Sequence, residues 1–364
     1  MAKPTRTRVI FTLPSFAAGG AERVLITLMN GLDRARFEPE LVCLNRGGPL
    51  RDLVAKDIPI FAPHNFKKVI HGLPFLWLTL LKKRPEMVVS TMAHMNFAVL
   101  LVTPFIPARM KVIVREAITP SYLIDTRKEG KIIRALYRLL YPRAHRVICP
   151  AQKIIDEFSS RVNIGTGNFK LLYNPVNIDK IRALSPVVAN DTGVHFICAG
   201  RLHPQKGFDR LIESLPFLNM NYPWRLTIMG EGDQYQDLKR LIEKHGLQDR
   251  VFLKGYVADP WPHIAGADCF LLPSRHEGLP NVALESLCVG TPVIAMREAG
   301  GITEIAAQAE SRAVTLCEAM ADFIAAMETV RPMATTGTRE SLLPNIFHPA
   351  TAQKNFTDII DQAA

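Results

Sequence analysis

The chain has 364 residues, 48% of them hydrophobic and 21% charged, with a formal net charge of +10. That is enough for two domains with separate cores, and the balance excludes a disordered or fibrous protein. The longest apolar stretches, 72–81 and 97–107, are broken by proline and fall short of the ~20 residues a membrane-spanning helix needs.

The charge is uneven. Residues 1–180 hold 28 Lys and Arg against 13 Asp and Glu, and the remainder holds 16 against 21. A basic first half is expected to face an anionic partner. Nucleic acid is a poor fit, since aromatic residues make up only 8% and no helix-turn-helix, RRM-like or zinc pattern occurs. Six scattered cysteines without C-x-x-C or Cys/His spacing point to buried thiols in a reduced, cytoplasmic setting. The start, MAKPTRTRVIFTLP, runs into a first strand with no secretory pattern.

Short β-branched runs alternate with helix-period segments along the chain, which predicts an α/β protein with parallel sheets. Strands are predicted at 8–13, 40–44, 58–61, 87–91, 111–115, 146–149 and 170–173, then at 195–199, 225–229, 251–254, 269–272 and 292–295. The polar, turn-rich passage 174–193 separates the two sets, and 349–360 reads as a helix. The expected organisation is two doubly wound, Rossmann-like domains, residues 1–173 and 174–345. A terminal helical segment, 346–364, can pack back on either domain, the first being the expected one. Such sheets bind ligands at the carboxyl ends of their strands, so a site in an interdomain cleft is expected.

The first strand leads into a loop with Gly19 and Gly20, followed by a helix. Glycines there let the backbone approach a ligand, and the helix start offers free N–H groups to an anion; an ordinary strand-to-helix turn needs the same glycines. Neither G-x-G-x-x-G nor G-x-x-x-x-G-K-[ST] fits. His94, past the fourth predicted strand, is a candidate acid/base or hydrogen-bond donor to a sugar, or else a satisfied histidine opening a helix. Arg115 and Glu116 follow the next strand as an ion pair of structural or functional use. Arg127, Lys131, Arg134 and Arg138 recur on one face of a predicted helix, and Ile133, Leu136, Tyr137 and Leu140 on another. That pattern fits a domain helix or one lying on an anionic membrane surface. The lysine-flanked segment FKKVIHGLPFLWLTLLKKR, with an exposed Phe75 and Trp77, favours the membrane.

In the second half, Arg201 and Lys206 bracket a turn containing Pro204 and Gly207, in GRLHPQKG. A guanidinium fork and an ammonium on one loop can neutralise a diphosphate, most usefully as it departs; most basic turns are merely solvated. Glu277 falls in a Gly/Pro-punctuated loop and Glu285 on the helix that Pro280 opens. Carboxylates so placed suit the hydroxyls of a sugar and a ribose. No Asp-x-Asp occurs to hold a divalent ion with nucleotide phosphates, so chemistry without metal or cofactor is expected.

Taken together, several motifs resemble the retaining family-four glycosyltransferases with the GT-B fold. They are the Gly19 and Gly20 loop, GRLHPQKG, MGEGDQYQDLKRLI, the turn KGYV, and E-x7-E from Glu277 to Glu285 followed by Gly300 and Gly301. The resemblance spans nearly the whole chain and is closest over 195–305. It implies that Arg201 and Lys206 hold a donor diphosphate, Glu277 the donor sugar and Glu285 the ribose. It also implies that the base lies against the backbone near Gly255 and Tyr256, that Gly230 belongs to the donor site, that the loop of Leu279, Pro280, Asn281 and Val282 offers backbone N–H groups, and that Gly19 and Gly20 close on the donor. His94 resembles the family's first-domain histidine. The implied reaction moves a hexose or N-acetylhexosamine from a nucleotide-diphosphate sugar, UDP rather than GDP, to a membrane-linked glycan. The setting is cell-surface polysaccharide or lipid-linked oligosaccharide synthesis, on the inner face of the membrane. A soluble acceptor, a non-catalytic partner subunit and an epimerase of the same fold remain as alternatives.

Overall fold

The structure, a computed structural model, describes residues 6–17, 19–63, 65–106, 110–185, 193–333 and 337–363. It divides into a first unit, Met1–Pro175 with Ala350–Ala364, and a second unit, Val176–Pro349. The expected divisions fell at 173/174 and 345/346.

The first unit is built on seven strands: β1 Thr7–Leu13, β2 Phe37–Cys43, β3 Ile60–Phe61, β4 Met87–Thr91, β5 Lys111–Arg115, β6 Arg146–Cys149 and β7 Phe169–Leu171. All pair in parallel, in the order β3-β2-β1-β4-β5-β6-β7. Side chains alternate between faces along each strand, and both faces are buried. Val9, Phe11, Met87, Val89, Ile113 and Ile148 enter one apolar cluster. Ile10, Val88, Val112, Val114, Val147 and Cys149 enter the other. This double burial explains why the strands read as continuous apolar runs instead of alternating ones.

The second unit has six parallel strands: β8 Val194–Ala199, β9 Trp224–Met229, β10 Val251–Gly255, β11 Cys269–Leu272, β12 Val293–Met296 and β13 Val314–Cys317. Their order is β10-β9-β8-β11-β12-β13. The last strand went unpredicted: it has four residues, lies at the sheet edge, and Thr315 is exposed, so its apolar signal is short and interrupted. Both sheets reverse their strand order once, between β1 and β4 and between β8 and β11. These are the switch points at which doubly wound sheets bind ligands.

The terminal helix, Pro349–Asp361, belongs to the first unit. Its Phe356, Ile359 and Ile360 are buried with Val9 and Phe11, and the Phe11 and Phe356 ring centroids lie 6.3 Å apart.

The predicted basic helix needs two corrections. The segment is two helices, Pro120–Thr126 and Gly130–Leu140, and Arg127 is the extended residue capping the first, so it does not share a face with the other three cations. The break exists because Gly130 packs on the preceding helix end, where a Cβ would stand 1.8 Å from the Ile124 carbonyl oxygen. Tyr137 and Leu140 are buried as expected, whereas Ile132 and Leu139 stay 62% and 59% exposed. Phe75 and Trp77, in the helix Leu73–Lys83, are partly buried against the core, and the Trp77 indole donates to the Phe105 carbonyl at 3.3 Å. The exposed apolar residues of this region are instead Ile70, Leu78, Leu101 and Phe105.

Phe356 has no exposed surface, so Phe356→Ala should lower the stability of the first unit by about 3–5 kcal/mol, the scale for removing a buried aromatic ring. Urea unfolding followed by hydrogen exchange in each unit measures it. An effect confined to the second unit would contradict the placement of this helix.

Candidate active site

Residues of the second unit gather at its switch point. The backbone leaves β8 at Ala199 and passes Arg201 into the short turn Pro204–Lys206, closed by Gly207 at φ 69°. Across the reversal, β11 leads into the loop that carries Glu277. Lys206 Nζ and Glu277 Oε1 meet at 2.6 Å, and the Ser274 hydroxyl donates to the same oxygen at 2.8 Å. Arg201 is exposed.

The two loops are also tied by backbone. Arg275 N–H donates to the Gln205 carbonyl at 2.8 Å and the Gln205 side-chain amide to the His276 carbonyl at 2.7 Å. The Arg275 fork holds both oxygens of Asp209, at 2.8 and 2.9 Å. Such two-point bonding fixes orientation as well as distance. From the far side, Gly300 at φ 64° lies so close to the Glu277 carbonyl that a Cβ would come within 2.1 Å, and Gly301 N–H donates to the Gly278 carbonyl at 2.6 Å. Only glycine satisfies both the positive φ and the contact.

The neighbouring strand ends close the floor. Gly230 N–H donates to the Gly255 carbonyl at 2.8 Å, and a Cβ on Gly230 would strike the Gly200 carbonyl oxygen at 1.8 Å. Tyr256 follows, 51% exposed. Leu279 and Pro280 are buried and lead into the helix Asn281–Cys288, whose first N–H groups have no acceptor within the helix. Glu285 sits on that helix, where the Trp261 indole N–H donates to its Oε2 at 3.1 Å and the Lys180 ammonium lies 5.3 Å from the Trp261 ring centroid. Sequence reasoning missed Ser274, Arg275 and Trp261. Ser274 stands three residues before Glu277 in the same loop, whereas nothing near Trp261 signalled a role.

In the first unit, Gly19 caps the helix Gly20–Asn30 after β1, and His94 opens the helix Ala93–Val102 after β4. They flank the first sheet's switch point. The glycine has a local reason: a Cβ there would lie 2.1 Å from Oε2 of the buried Glu22, which folds back beneath it. Before His94 the chain passes through Met92 at φ 73°, a costly conformation for a side-chain-bearing residue that the surroundings must enforce. Its N–H donates to the Arg115 carbonyl at 3.2 Å and its carbonyl caps Met95 and Asn96 at 2.9 Å. Desolvation, and secondarily the charge of Arg127, lower the His94 pKa from its usual 6.5, which favours a neutral imidazole.

Arg115 and Glu116 do not form the expected ion pair: the guanidinium donates elsewhere, and Glu116 Oε2 has no hydrogen-bond partner among the described residues. Both are buried. Arg115 donates to Thr91 at 3.2 Å and also to Asn174. Asn96 donates to the Arg115 carbonyl at 2.9 Å and to Glu116 at 3.2 Å, while Tyr141 bonds Glu116 and Ser90 donates to Asn96 at 2.6 Å. Asn96 belongs to the helix that begins beside His94, so the network fixes that helix to the sheet. Among the described residues, no three His, Cys, Asp or Glu side chains come together in a way that would hold a metal ion.

Two parallel sheets of the doubly wound type, each with candidate site residues at its reversal, are the architecture of the GT-B class. A family model described as Glycosyltransferase Family 4 matches residues 18–180, and one described as Glycosyl transferases group 1 matches 181–331. The chain is 26% identical over 307 residues to a Campylobacter jejuni enzyme, N-acetylgalactosamine-N,N'-diacetylbacillosaminyl-diphospho-undecaprenol 4-alpha-N-acetylgalactosaminyltransferase, covering 80% of this chain and 81% of that one. Its fold matches the Anabaena HepE protein in complex with UDP and glucose, with a TM-score of 0.77, 20% identity and coverage of 98% and 100%. It also matches the lipopolysaccharide outer core galactosyltransferase WaaB, with a TM-score of 0.72, 18% identity and the same coverage. The chain belongs to the family-four glycosyltransferases with the GT-B fold.

Burial pushes the Glu116 carboxyl up from 4.5 to about 8 in the folded protein. Between those values the folded chain keeps a proton that the unfolded chain has lost. The stability so gained is full below about pH 4.5 and declines as pH rises to about 8. A glutamine at this position cannot ionise. The stability of Glu116→Gln relative to the native chain should therefore climb over that window, by ~1.4 kcal/mol for each step of one in pH. Urea midpoints at several pH values test this; a difference that stays flat with pH refutes it.

Proposed function

We propose that the protein is a retaining, metal-independent glycosyltransferase that moves a hexose or N-acetylhexosamine from a UDP-sugar to a lipid-linked glycan. The product belongs to cell-surface polysaccharide or lipid-linked oligosaccharide. The observation that carries this reading is the 2.6 Å contact between Lys206 and Glu277 across the β8/β11 reversal, with the exposed Arg201 on the same loop as the lysine. The pairing keeps cation and carboxylate in place before substrate arrives. A donor bound there brings its diphosphate to Arg201 and Lys206 and its sugar hydroxyls to Glu277, whose Oε2 makes no hydrogen bond among the described residues. Glu285, steadied by Trp261, takes the ribose, and Gly230, Gly255 and Tyr256 take the base.

In this scheme the anomeric C–O bond breaks towards the diphosphate while the acceptor oxygen bonds the same face of the sugar. The acceptor proton passes to the departing phosphate oxygen. Arg201 and Lys206 stabilise the charge that grows on the leaving group, work otherwise assigned to a divalent ion. Neutral His94 would serve as a hydrogen-bond partner to the sugar.

A UDP donor is supported by HepE, whose structure holds UDP and glucose. A lipid-linked acceptor is supported by the diphospho-undecaprenol in the name of the Campylobacter relative. The outward face of the helix Gly130–Leu140 agrees with a place on the inner membrane surface: Ile132 and Leu139 stand exposed beside Lys131, Arg134 and Arg138. Among the described residues no helix is long and apolar enough to cross a membrane.

Arg201→Ala and Lys206→Ala should each cut turnover by roughly 10²–10³-fold, the scale for one transition-state charge contact. UDP-sugars should raise the melting temperature of the native chain where GDP- and ADP-sugars do not. Full turnover in both variants rejects the diphosphate role, and a response to GDP-sugars alone rejects the UDP assignment. On vesicles containing anionic lipid at low salt, the native chain should float, and Lys131→Glu with Arg134→Glu should stay in the soluble fraction. Absence of flotation by the native chain removes the membrane-surface reading.

A further inference from the structure

The second sheet is not covered alike along its width. On one face Phe196, Leu226, Ile228 and Val251 enter an apolar cluster. The alternate residues of β8, β9 and β10 turn to the other face, and there Arg225, Phe252 and Lys254 are exposed. Parallel sheets are ordinarily covered on both sides, so a bare stretch of this kind asks for an occupant. The sequence carries the same asymmetry: Arg225 and Thr227 alternate with apolar neighbours in β9, whereas β11 and β12 are apolar throughout.

The bare face holds a hollow of about 350 Å³, lined by His195, Arg225, Thr227, Phe252, Lys254 and His263. That volume falls within the ~300–1,000 Å³ usual for small organic ligands. His195 and Arg225 are register partners, as are Thr227 and Phe252, and the helix Trp261–Ala265 brings His263 to the same place. The His195 ring meets the Thr227 hydroxyl at 2.9 Å. Arg201 and Lys206 follow the carboxyl end of β8, whereas His195 is that strand's second residue. The hollow is therefore separate from the donor notch.

Its charge decides what fits. Of the described residues that line it none is acidic, while Arg225 and Lys254 are cations and two more are histidines. Burial first, and then the charge of Arg225, push His195 down to about 4, with His263 and Lys254 acting in the same direction. Burial and Lys254 likewise lower His263. The nearby Asp268 accepts the main-chain N–H groups of His195 and Met333, both at 2.7 Å, and is not among the lining residues. A guanidinium and an ammonium gathered at one hollow suit a phosphate. Phe252, 45% exposed beside them, offers a ring face, on which any flat ring can stack. An acidic protein segment would call for cations spread along a longer track.

We propose that this hollow is a second ligand site, for a small phosphate ester bearing a flat ring, the class that includes nucleoside monophosphates. Arg225, Lys254 and His263 meet the phosphate, and Phe252 carries the ring. The donor reading uses none of these residues, so the two stand or fall separately.

The test titrates the full-length protein with phenyl phosphate, inorganic phosphate and glucose 6-phosphate, with excess UDP present to fill the donor site. Binding is read by calorimetry and by the NMR signals of the His195 and His263 rings. Phenyl phosphate should move both rings and bind at least tenfold more tightly than inorganic phosphate, with glucose 6-phosphate in between. Arg225→Gln with Lys254→Gln should weaken phenyl phosphate tenfold or more, and Phe252→Ala should bring it to the level of inorganic phosphate. These positions are exposed, so melting curves of the variants should match the native chain's, and Arg225→Gln and Phe252→Ala should keep native donor turnover. Unmoved histidine rings at saturating phenyl phosphate overturn the proposal. So do equal affinities for phenyl and inorganic phosphate, which mean an adventitious ion only, and tighter binding of glucose 6-phosphate, which removes the flat ring. A hexaglutamate peptide that moves both rings and binds more tightly than phenyl phosphate marks a protein-docking face instead. If UDP does not bind while phenyl phosphate behaves as described, the donor reading fails and this site stands.

Discussion

A lysine and a glutamate from loops far apart in sequence are brought into contact because the second sheet reverses its strand order between them. That reversal leaves a notch at the carboxyl ends of β8 and β11, and side chains from the two loops must converge there. Lys206 and Glu277 are largely shielded from water, so each is costly without the other. Everything else in the neighbourhood limits how that pair can move. Arg275 clamps Asp209, Gln205 reaches the His276 carbonyl, and the Gly300 backbone lies against the Glu277 carbonyl. Preorganisation of this kind is what electrostatic stabilisation of a leaving group requires, since groups that must reorient during reaction lose much of their effect.

The first unit uses its polar groups differently. Arg115, Glu116, Asn96 and Tyr141 are buried at the ends of the central strands and spend their hydrogen bonds on one another and on the backbone. Their effect is on position: Asn96 and the constrained Met92 set where the helix bearing His94 begins. The network is only partly satisfied, since Arg115 Nε and Glu116 Oε2 are buried without a hydrogen-bond partner among the described residues, and such groups are costly. The sheet of this unit is otherwise apolar on both faces, and a hollow bordered by Lys67 and Lys68 lies among the described residues.

Much of this was readable in advance, for identifiable reasons. Strands buried on both faces carry β-branched runs that stand out against helical segments, so β1, β4, β5, β6, β8 and β11 were located within a residue or two. The site loops were legible because Arg201, Lys206 and Glu277 are punctuated by proline and glycine at strand ends. What escaped depends on distant contacts. The edge strand β13 has too few residues to carry a pattern. The break before Gly130 comes from a carbonyl six residues earlier, which no periodicity records. The exposure of Phe75 and Trp77 was misjudged because which side of a helix is covered depends on its neighbours. The Trp261 contact with Glu285 joins residues 24 positions apart and has no local signature.

The return of Pro349–Asp361 to the first unit makes the second unit, topologically, an insertion within the first. A ribosome adds ~5–20 residues per second, so the strands of the first unit exist for roughly 10–35 s before the piece that seals Phe11 is made. During that time an apolar groove beside β1 stays open to other chains. A message cut short just before codon 349 would yield a second unit with its full set of strands attached to a partner that cannot finish its core. Such a product is a natural client for chaperones or proteases, however sound its second unit.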